Sequence, residues 1–319
     1  MRLGLPHDTY IGVFTPYKNI VVNALTDAKS DIAEMVNGNK PADGGNLIME
    51  FSEVEALRKE NPQSSKFIRN FVGAHDSIHG ISRFCLWILD SERNNAYQIN
   101  GISERLERVR DMRDKSPKVL TKRGAITPHT FQQIRQTGDE VPIVIPRHSS
   151  EARLYLPISL YPKGTIVADG AFAIFDSSLW NMALILSHLH LVWIAAVCGK
   201  IKTDYRYSST LGWNTFPVPT LTEKNKTDLT HCAEDILLAR ESHFPATIAD
   251  LYNPENMPAN LRAAHERNDE VLERIYIGRR FRNDTERLEK LFDLYTKMTA
   301  ATGTKAQPAA KATKGKKVS

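Results

Sequence analysis

The sequence predicts an α+β protein: a mixed α/β region over residues 1–220, an all-α helical region over 221–300 and a disordered lysine-rich tail at 301–319. Three observations predict it. Between 141 and 175, short β-branched and apolar runs are punctuated by Pro142, Pro146, Pro157, Pro162, Gly164 and Gly170, the pattern of brief strands joined by turns. Residues 179–198 carry no formal charge and read as a helix buried in a large core. After Phe216-Pro217-Val218-Pro219 the composition shifts to segments of helical period, such as Leu288, Leu291, Phe292, Tyr295 and Met298.

In chain order, residues 11–15 and 20–22 are short β-branched runs, and 31–36 has the pattern of a short helix stopped by Gly38. The cluster Asn39-Lys40-Pro41-Ala42-Asp43-Gly44-Gly45-Asn46 is dense in turn formers, and a strand follows at 47–51. Ser52 and Glu55 have capping-box spacing for a helix that ends before Pro62, with a second short helix at 64–71. Residues 83–89 read as a strand buried on both faces. Over 103–115, acids and arginines alternate at i,i+3 and i,i+4, as on a solvated, ion-paired helix. Just beyond it Lys115, Lys118, Lys122 and Arg123 stand without acids, a better electrostatic contact. The core helix at 176–198 has Ser177 or Ser178 as cap and Gly199 as stop, and 200–208 alternates like a strand. Helices are expected at 228–241, 258–276 and 284–299.

With 319 residues, 41% hydrophobic and 25% charged, the composition is that of a soluble globular protein and excludes disorder and fibre. The 42 Lys+Arg exceed the 37 Asp+Glu by 5, but Lys305, Lys311, Lys314, Lys316 and Lys317 all lie in the acid-free tail, so residues 1–300 are balanced. Nucleic-acid binding must therefore be argued from local clustering. Cys85, Cys198 and Cys232 form no CxxC pair, which fits reduced thiols in a cytoplasm. The uncharged run approaches bilayer length, but Asn181, Ser187, His188 and His190 interrupt it and no second span accompanies it; no membrane partner is expected.

No GxGxxG, Walker A, HExxH or GxSxG motif occurs, nor the Asn-Pro-Pro-aromatic tetrapeptide that positions a flipped base for amino-group methylation. His188 and His190 point to different helix faces and are read as core histidines, while His243 and His265 are read as superficial. No catalytic, cofactor or metal residue is assigned. The positive signal is the segment 200–208. As one strand it would place Lys200, Lys202, Asp204, Arg206 and Ser208 on one face and Ile201, Thr203, Tyr205 and Tyr207 on the other. Long donors beside a carboxylate suit base edges in a major groove, and lysines also protect a solvated edge strand from aggregation; on the residues alone both readings stay open.

Several blocks, taken together, resemble the target-recognition domain of MmeI-like (type IIL) DNA methyltransferases. They are Ala42-Asp43-Gly44-Gly45-Asn46-Leu47-Ile48, Phe67-Ile68-Arg69-Asn70-Phe71-Val72-Gly73, Arg83-Phe84-Cys85-Leu86-Trp87, Ser149-Ser150-Glu151-Ala152-Arg153-Leu154-Tyr155-Leu156-Pro157, Trp193-Ile194-Ala195-Ala196-Val197-Cys198-Gly199-Lys200 and Asn214-Thr215-Phe216-Pro217. Ala246-Thr247-Ile248-Ala249-Asp250-Leu251-Tyr252 and Met257-Pro258 resemble the helical C-terminal domain of the same proteins. The resemblance covers roughly residues 17–298; residues 1–16 match nothing in it.

The resemblance implies the DNA-recognition part of an adenine-N6 methyltransferase or restriction-modification system. Double-stranded DNA and a methyltransferase domain or subunit would be its partners. S-adenosylmethionine would belong to that associated domain, with no cofactor in this chain. It further implies that 200–208 is the main DNA-reading strand, its variable positions being Lys202, Asp204 and Arg206. Lys202 is expected to donate to guanine and Asp204 to accept from the paired cytosine, with Arg206, Asp169 and Gly170 serving a second position. Arg147, Arg153, Lys163, Lys200 and Ser208 are expected at the DNA backbone, and Tyr205 and Tyr207 as buttresses or direct contacts. The rival readings are an active enzyme with an unrecognised site, a protein-binding scaffold, and nonspecific attachment through the tail.

Overall fold

The computed structural model describes residues 11–15 and 18–301, with side chains from 20 to 300. The tail expected at 301–319 to be disordered and the unmatched start at 1–16 lie, but for 11–15 and Ala301, outside the described residues. Strands β1 (Ile11–Thr15) and β2 (Lys18–Val22) form an antiparallel pair. Two short strands, β3 (Val36–Asn37) and β4 (Ile48–Met49), precede helix α1 (Phe51–Glu60). Next come β5 (Ile68–Val72), α2 (Ala74–His79), β6 (Arg83–Leu86) and the helices α3 (Arg93–Tyr97), α4 (Asn100–Asp114) and α5 (Val119–Arg123). The strand-rich stretch holds β7 (Pro142–Pro146), β8 (His148–Ser149), β9 (Ser159–Leu160), β10 (Ile166–Val167) and β11 (Ala171–Phe175). Helices α6 (Leu179–Ile185) and α7 (His188–Val197) lead into β12 (Gly199–Ile201) and β13 (Asp204–Arg206). The chain then turns helical: α8 (Glu223–Glu241), α9 (Ile248–Leu251), α10 (Ala259–Ile277) and α11 (Asp284–Ala301). This is the expected α+β order.

Two four-stranded sheets, β10-β5-β6-β4 and β3-β11-β7-β9, form the body. Strands β7 and β11 are apolar on both faces because both faces are covered. Ile143, Ile145, Phe172 and Ile174 face the large helical core, while Val144, Ala171 and Ala173 meet Val72 and Val167 of the other sheet. A separate core lies beneath α1 and α4, where Val54, Leu57, Ile102, Leu106 and Val109 pack with Phe67, Phe71, Cys85 and Leu86. The large core runs across residue 220 without a break: Met182, Trp193 and Ile194 share it with Leu229, Ile236, Leu272 and Phe292. Polar ties reinforce it, Arg240 donating to the Ile158 carbonyl at 2.8 Å and Asn268 to that of Ala183 at 2.9 Å.

Several local expectations are corrected. Residues 31–36 form no helix, because distant partners take the backbone: Ala33 N–H donates to Asn181 and its carbonyl accepts from the Trp213 indole. Helix α1 starts at Phe51, with Glu53 accepting from Glu50 N–H at 2.9 Å, rather than at Ser52 with Glu55. Residues 62–67 make a 3₁₀ turn and the chain then extends into β5, where pairing with β6 overrides local helicity. The single helix expected at 176–198 is two helices bent by 58°. Ser187 Oγ donates to the Leu184 carbonyl and accepts from His190 N–H, ending one helix and capping the next. Among the described residues, no single helix is long and apolar enough to cross a membrane. His265, expected at the surface, is fully buried, held by the Tyr252 hydroxyl at 2.7 Å and stacked on Tyr155.

Candidate nucleic-acid interface

The end of α7 sets up the site. Its last turn is fixed in the core by Val197, and Cys198 is buried behind it, so Gly199 onward emerges as an exposed hairpin. Strands β12 and β13 pair antiparallel, with Gly199 opposite Arg206, Lys200 opposite Tyr205 and Ile201 opposite Asp204, around a two-residue turn of Lys202 and Thr203. Lys202 occupies the left-handed region at φ 56°, a conformation that disfavours a lysine by about 1–2 kcal/mol. The other edge of β13 pairs with β8, Arg206 opposite His148 and Tyr205 opposite Ser149.

The turn corrects the single-strand expectation for 200–208. It interrupts the two-residue alternation, so Asp204 and Arg206 keep a common face, whereas Lys200 lies on the other with Tyr205, its Nζ 5.4 Å from the ring centroid. Lys202 projects from the tip, and Ile201, Lys202, Thr203, Asp204 and Arg206 are all exposed.

Around Asp204 and Arg206 the fold gathers residues from four segments. Arg147, the residue after β7, packs its guanidinium 4.7 Å from the Phe172 ring centroid and donates to Asn37 of β3. Burial pulls the Arg147 guanidinium below its ordinary pKa; Asp169 opposes that shift and Arg206 adds to it, which places all three in one electrostatic cluster. Asp169 also meets Lys40 at 3.9 Å, and the exposed Gly170 follows it. Arg153, likewise lowered by burial, has Asp204 as its opposing charge. Lys40 and Arg147 thus neighbour Asp169, Arg153 neighbours Asp204 and Lys200 pairs with Glu151, with Arg206 beside Arg147 and Lys202 at the exposed tip.

Not every expected residue joins them. Lys163 pairs with Asp139 at 3.1 Å beside the start of β7, the opposite end of that strand from Arg147. Lys200 donates to Glu151 at 2.8 Å, which raises its pKa. Ser208 Oγ accepts from Leu211 N–H at 3.3 Å and caps the π-helical turn Ser209–Trp213. Tyr207 is buried, its hydroxyl 2.9 Å from His190 Nε2, and supports the hairpin from below. Gly212 makes room for it, since a Cβ there would lie 2.5 Å from the Tyr207 ring. Asn37, Lys40 and His148 belong to the cluster but escape a reading of 200–208 alone; the β3–β11 and β8–β13 pairings and the Asn39–Ala168 bridge bring them in.

A mixed α/β body that displays an exposed, cation-rich hairpin has the build of a recognition domain. The chain belongs to the MmeI family: the model for the MmeI target recognition domain matches residues 16–220, and that for the MmeI C-terminal domain matches residues 221–302. It is 36% identical over 285 residues to DNA methyltransferase A of Bacillus subtilis (strain 168), an alignment covering 89% of this chain and 32% of that protein. Its fold superposes with a TM-score of 0.82 and 30% identity on the type IIL restriction-modification enzyme MmeI, solved in complex with DNA; 88% of this chain and 37% of that one are covered. The chain therefore spans about a third of the length of these relatives.

Proposed function

We propose that this chain selects the DNA sequence on which an adenine-N6 methyltransferase or restriction-modification enzyme acts. Residues 1–220 would read duplex DNA, and the helices of 221–300 would brace them. The observation that carries the reading is the hairpin, which exposes Asp204 and Arg206 on one face beside Arg147 and Asp169. In a major groove, Arg206 and Lys202 would donate to guanine and Asp204 would accept from a cytosine amino group. Gly170, lacking a side chain, would let a base edge approach Asp169. Arg147, Arg153 and Lys200 would hold phosphates and fix register.

Methyl transfer and S-adenosylmethionine belong, in this reading, to an associated methyltransferase domain or subunit, within the cytoplasm. The apolar cavity beside Trp87 offers that cofactor no free carboxylate. The cavity of about 300 Å³ beside Trp87 is walled by Leu86, Ile88, Phe131 and Ile134, and its carboxylate, Asp90, is engaged by His129 at 2.7 Å.

Selection of bound duplexes from a randomised pool tests the proposal. Replacing Lys202→Glu together with Asp204→Arg is expected to change the base pair required at one position and leave the others. Each lost contact should reduce discrimination by about 1–3 kcal/mol, roughly 5- to 150-fold. An unaltered site preference in that variant, and in Arg206→Ala, refutes the assignment.

A further inference from the structure

A second surface lies apart from the hairpin. After α4 the chain turns through 115–118, forms the single turn of α5 and closes in a 3₁₀ turn at Gly124–Ile126. Only Thr121 of α5 is buried, joined to Gln132 through its hydroxyl, so the helix stands out as a knuckle. Its aliphatic side chains face solvent: Val119 is 67% exposed, Leu120 72% and Ile126 78%. Lys115, Lys118, Lys122 and Arg123 are exposed among them, and no acid occurs from 115 to 126; Asp111 and Asp114, on the preceding turn of α4, are the neighbouring carboxylates in sequence. Among the described residues none of these four cations forms an ion pair, whereas lysines and arginines elsewhere are widely paired.

The knuckle is held rigidly. Arg113 is buried and spends its guanidinium on five carbonyls: Ala42 at 3.0 Å through Nε, Gly124 at 3.0 Å and Thr127 at 2.9 Å through Nη1, Pro41 at 2.8 Å and Thr130 at 2.7 Å through Nη2. It thereby ties the knuckle to the segment that also carries Lys40, the partner of Asp169 in the hairpin cluster.

Unpaired lysines around aliphatic tips do not suit a protein partner, since lysine is depleted at protein–protein interfaces. They suit a polyanion with an apolar cleft. Minor-groove binders combine cations on the two phosphate rims with Leu, Ile or similar wedges between base steps. We propose that the 115–126 knuckle is a second duplex-DNA contact, independent of sequence, in which Lys115, Lys118, Lys122 and Arg123 bind phosphates and Leu120 and Ile126 enter the minor groove. The inference rests on the DNA-reading role of the hairpin and adds a separate anchor.

The test uses the full chain and a duplex carrying its selected site, with affinity followed across a salt series. For Lys118→Ala/Lys122→Ala/Arg123→Ala, the log–log salt slope is expected to become shallower by about 2.7, that is 0.9 per phosphate contact, with base preference unchanged. Leu120→Ala/Ile126→Ala, confined to exposed side chains, should keep the slope, weaken binding about three- to tenfold and reduce the end-to-end bend of a fluorophore-labelled duplex. A wild-type slope in the triple variant overturns the knuckle contact while sparing the hairpin. Unchanged DNA binding by both variants, with lost capture of a methyltransferase polypeptide, assigns the surface to protein instead and equally overturns it. A wild-type chain without any sequence-preferring binding overturns both proposals.

Discussion

His190 holds the β12–β13 hairpin from inside the core. It is fully buried, touches the Tyr207 hydroxyl and packs edge-on against Trp213 and Phe216, so the hairpin stands on it through Tyr207. Burial lowers its imidazole pKa from 6.5 to about 3. The folded state then binds fewer protons than the unfolded chain between those values. The corresponding stability is complete above pH 6.5 and is lost as pH falls toward 3. Urea midpoints measured from pH 7 to pH 4 should fall more steeply for the wild type than for His190→Gln; equal slopes would contradict the assignment. Gly212→Ala tests the same buttress sterically. A Cβ at 2.5 Å from an immobilised ring forces a shift, and overpacking of this kind costs about 1–3 kcal/mol in denaturant melts.

Among the elements, those with a strong period were legible. The charge spacing of α4 and the apolar spacing of α10 and α11 depend on 3.6-residue repetition, which survives into the fold because each helix buries one stripe. The α6–α7 break was not, because its cause is one hydroxyl in an uncharged run that several polar residues interrupt. Hydropathy registers Ser187 as a minor interruption, whereas the structure uses it as both stop and cap. Ser187→Ala should destabilise the protein by about 1–2 kcal/mol, checked by thermal melting. The β12–β13 hairpin escaped for the opposite reason. Lys202-Thr203 lacks the Gly or Asn that usually marks a two-residue turn, so a run that reverses direction retains the alternation of one that does not. Asp204 and Arg206 could be grouped from sequence; Lys200, across the turn, was misplaced.

At the scale of the whole molecule, composition and packing divide the chain differently. The change at 220 is one of secondary-structure class, whereas the large core draws on both sides of it and Asp269 of α10 accepts from both Tyr155 O–H at 2.9 Å and His188 N–H at 2.7 Å. Burial raises the Asp269 pKa to about 6. A fragment ending at residue 220 would expose Met182, Leu184, Trp193 and Ile194 to water and should be digested by protease under conditions in which the full chain resists; equal resistance would show that residues 1–220 stand alone. Contacts so distant in sequence leave no local signal, which is why the braces were invisible and the braced surface partly visible.

The pairing of β13 with β8 has a practical corollary for retargeting. Arg206 faces His148 across the ladder, one residue from Arg147, so grafting a foreign hairpin would leave its neighbour shaped for the old one. Under the proposed reading, residues 147–153 and 199–208 would be exchanged together, and the host would still have to supply Asn37 and Phe172 beneath Arg147 and His190 beneath Tyr207.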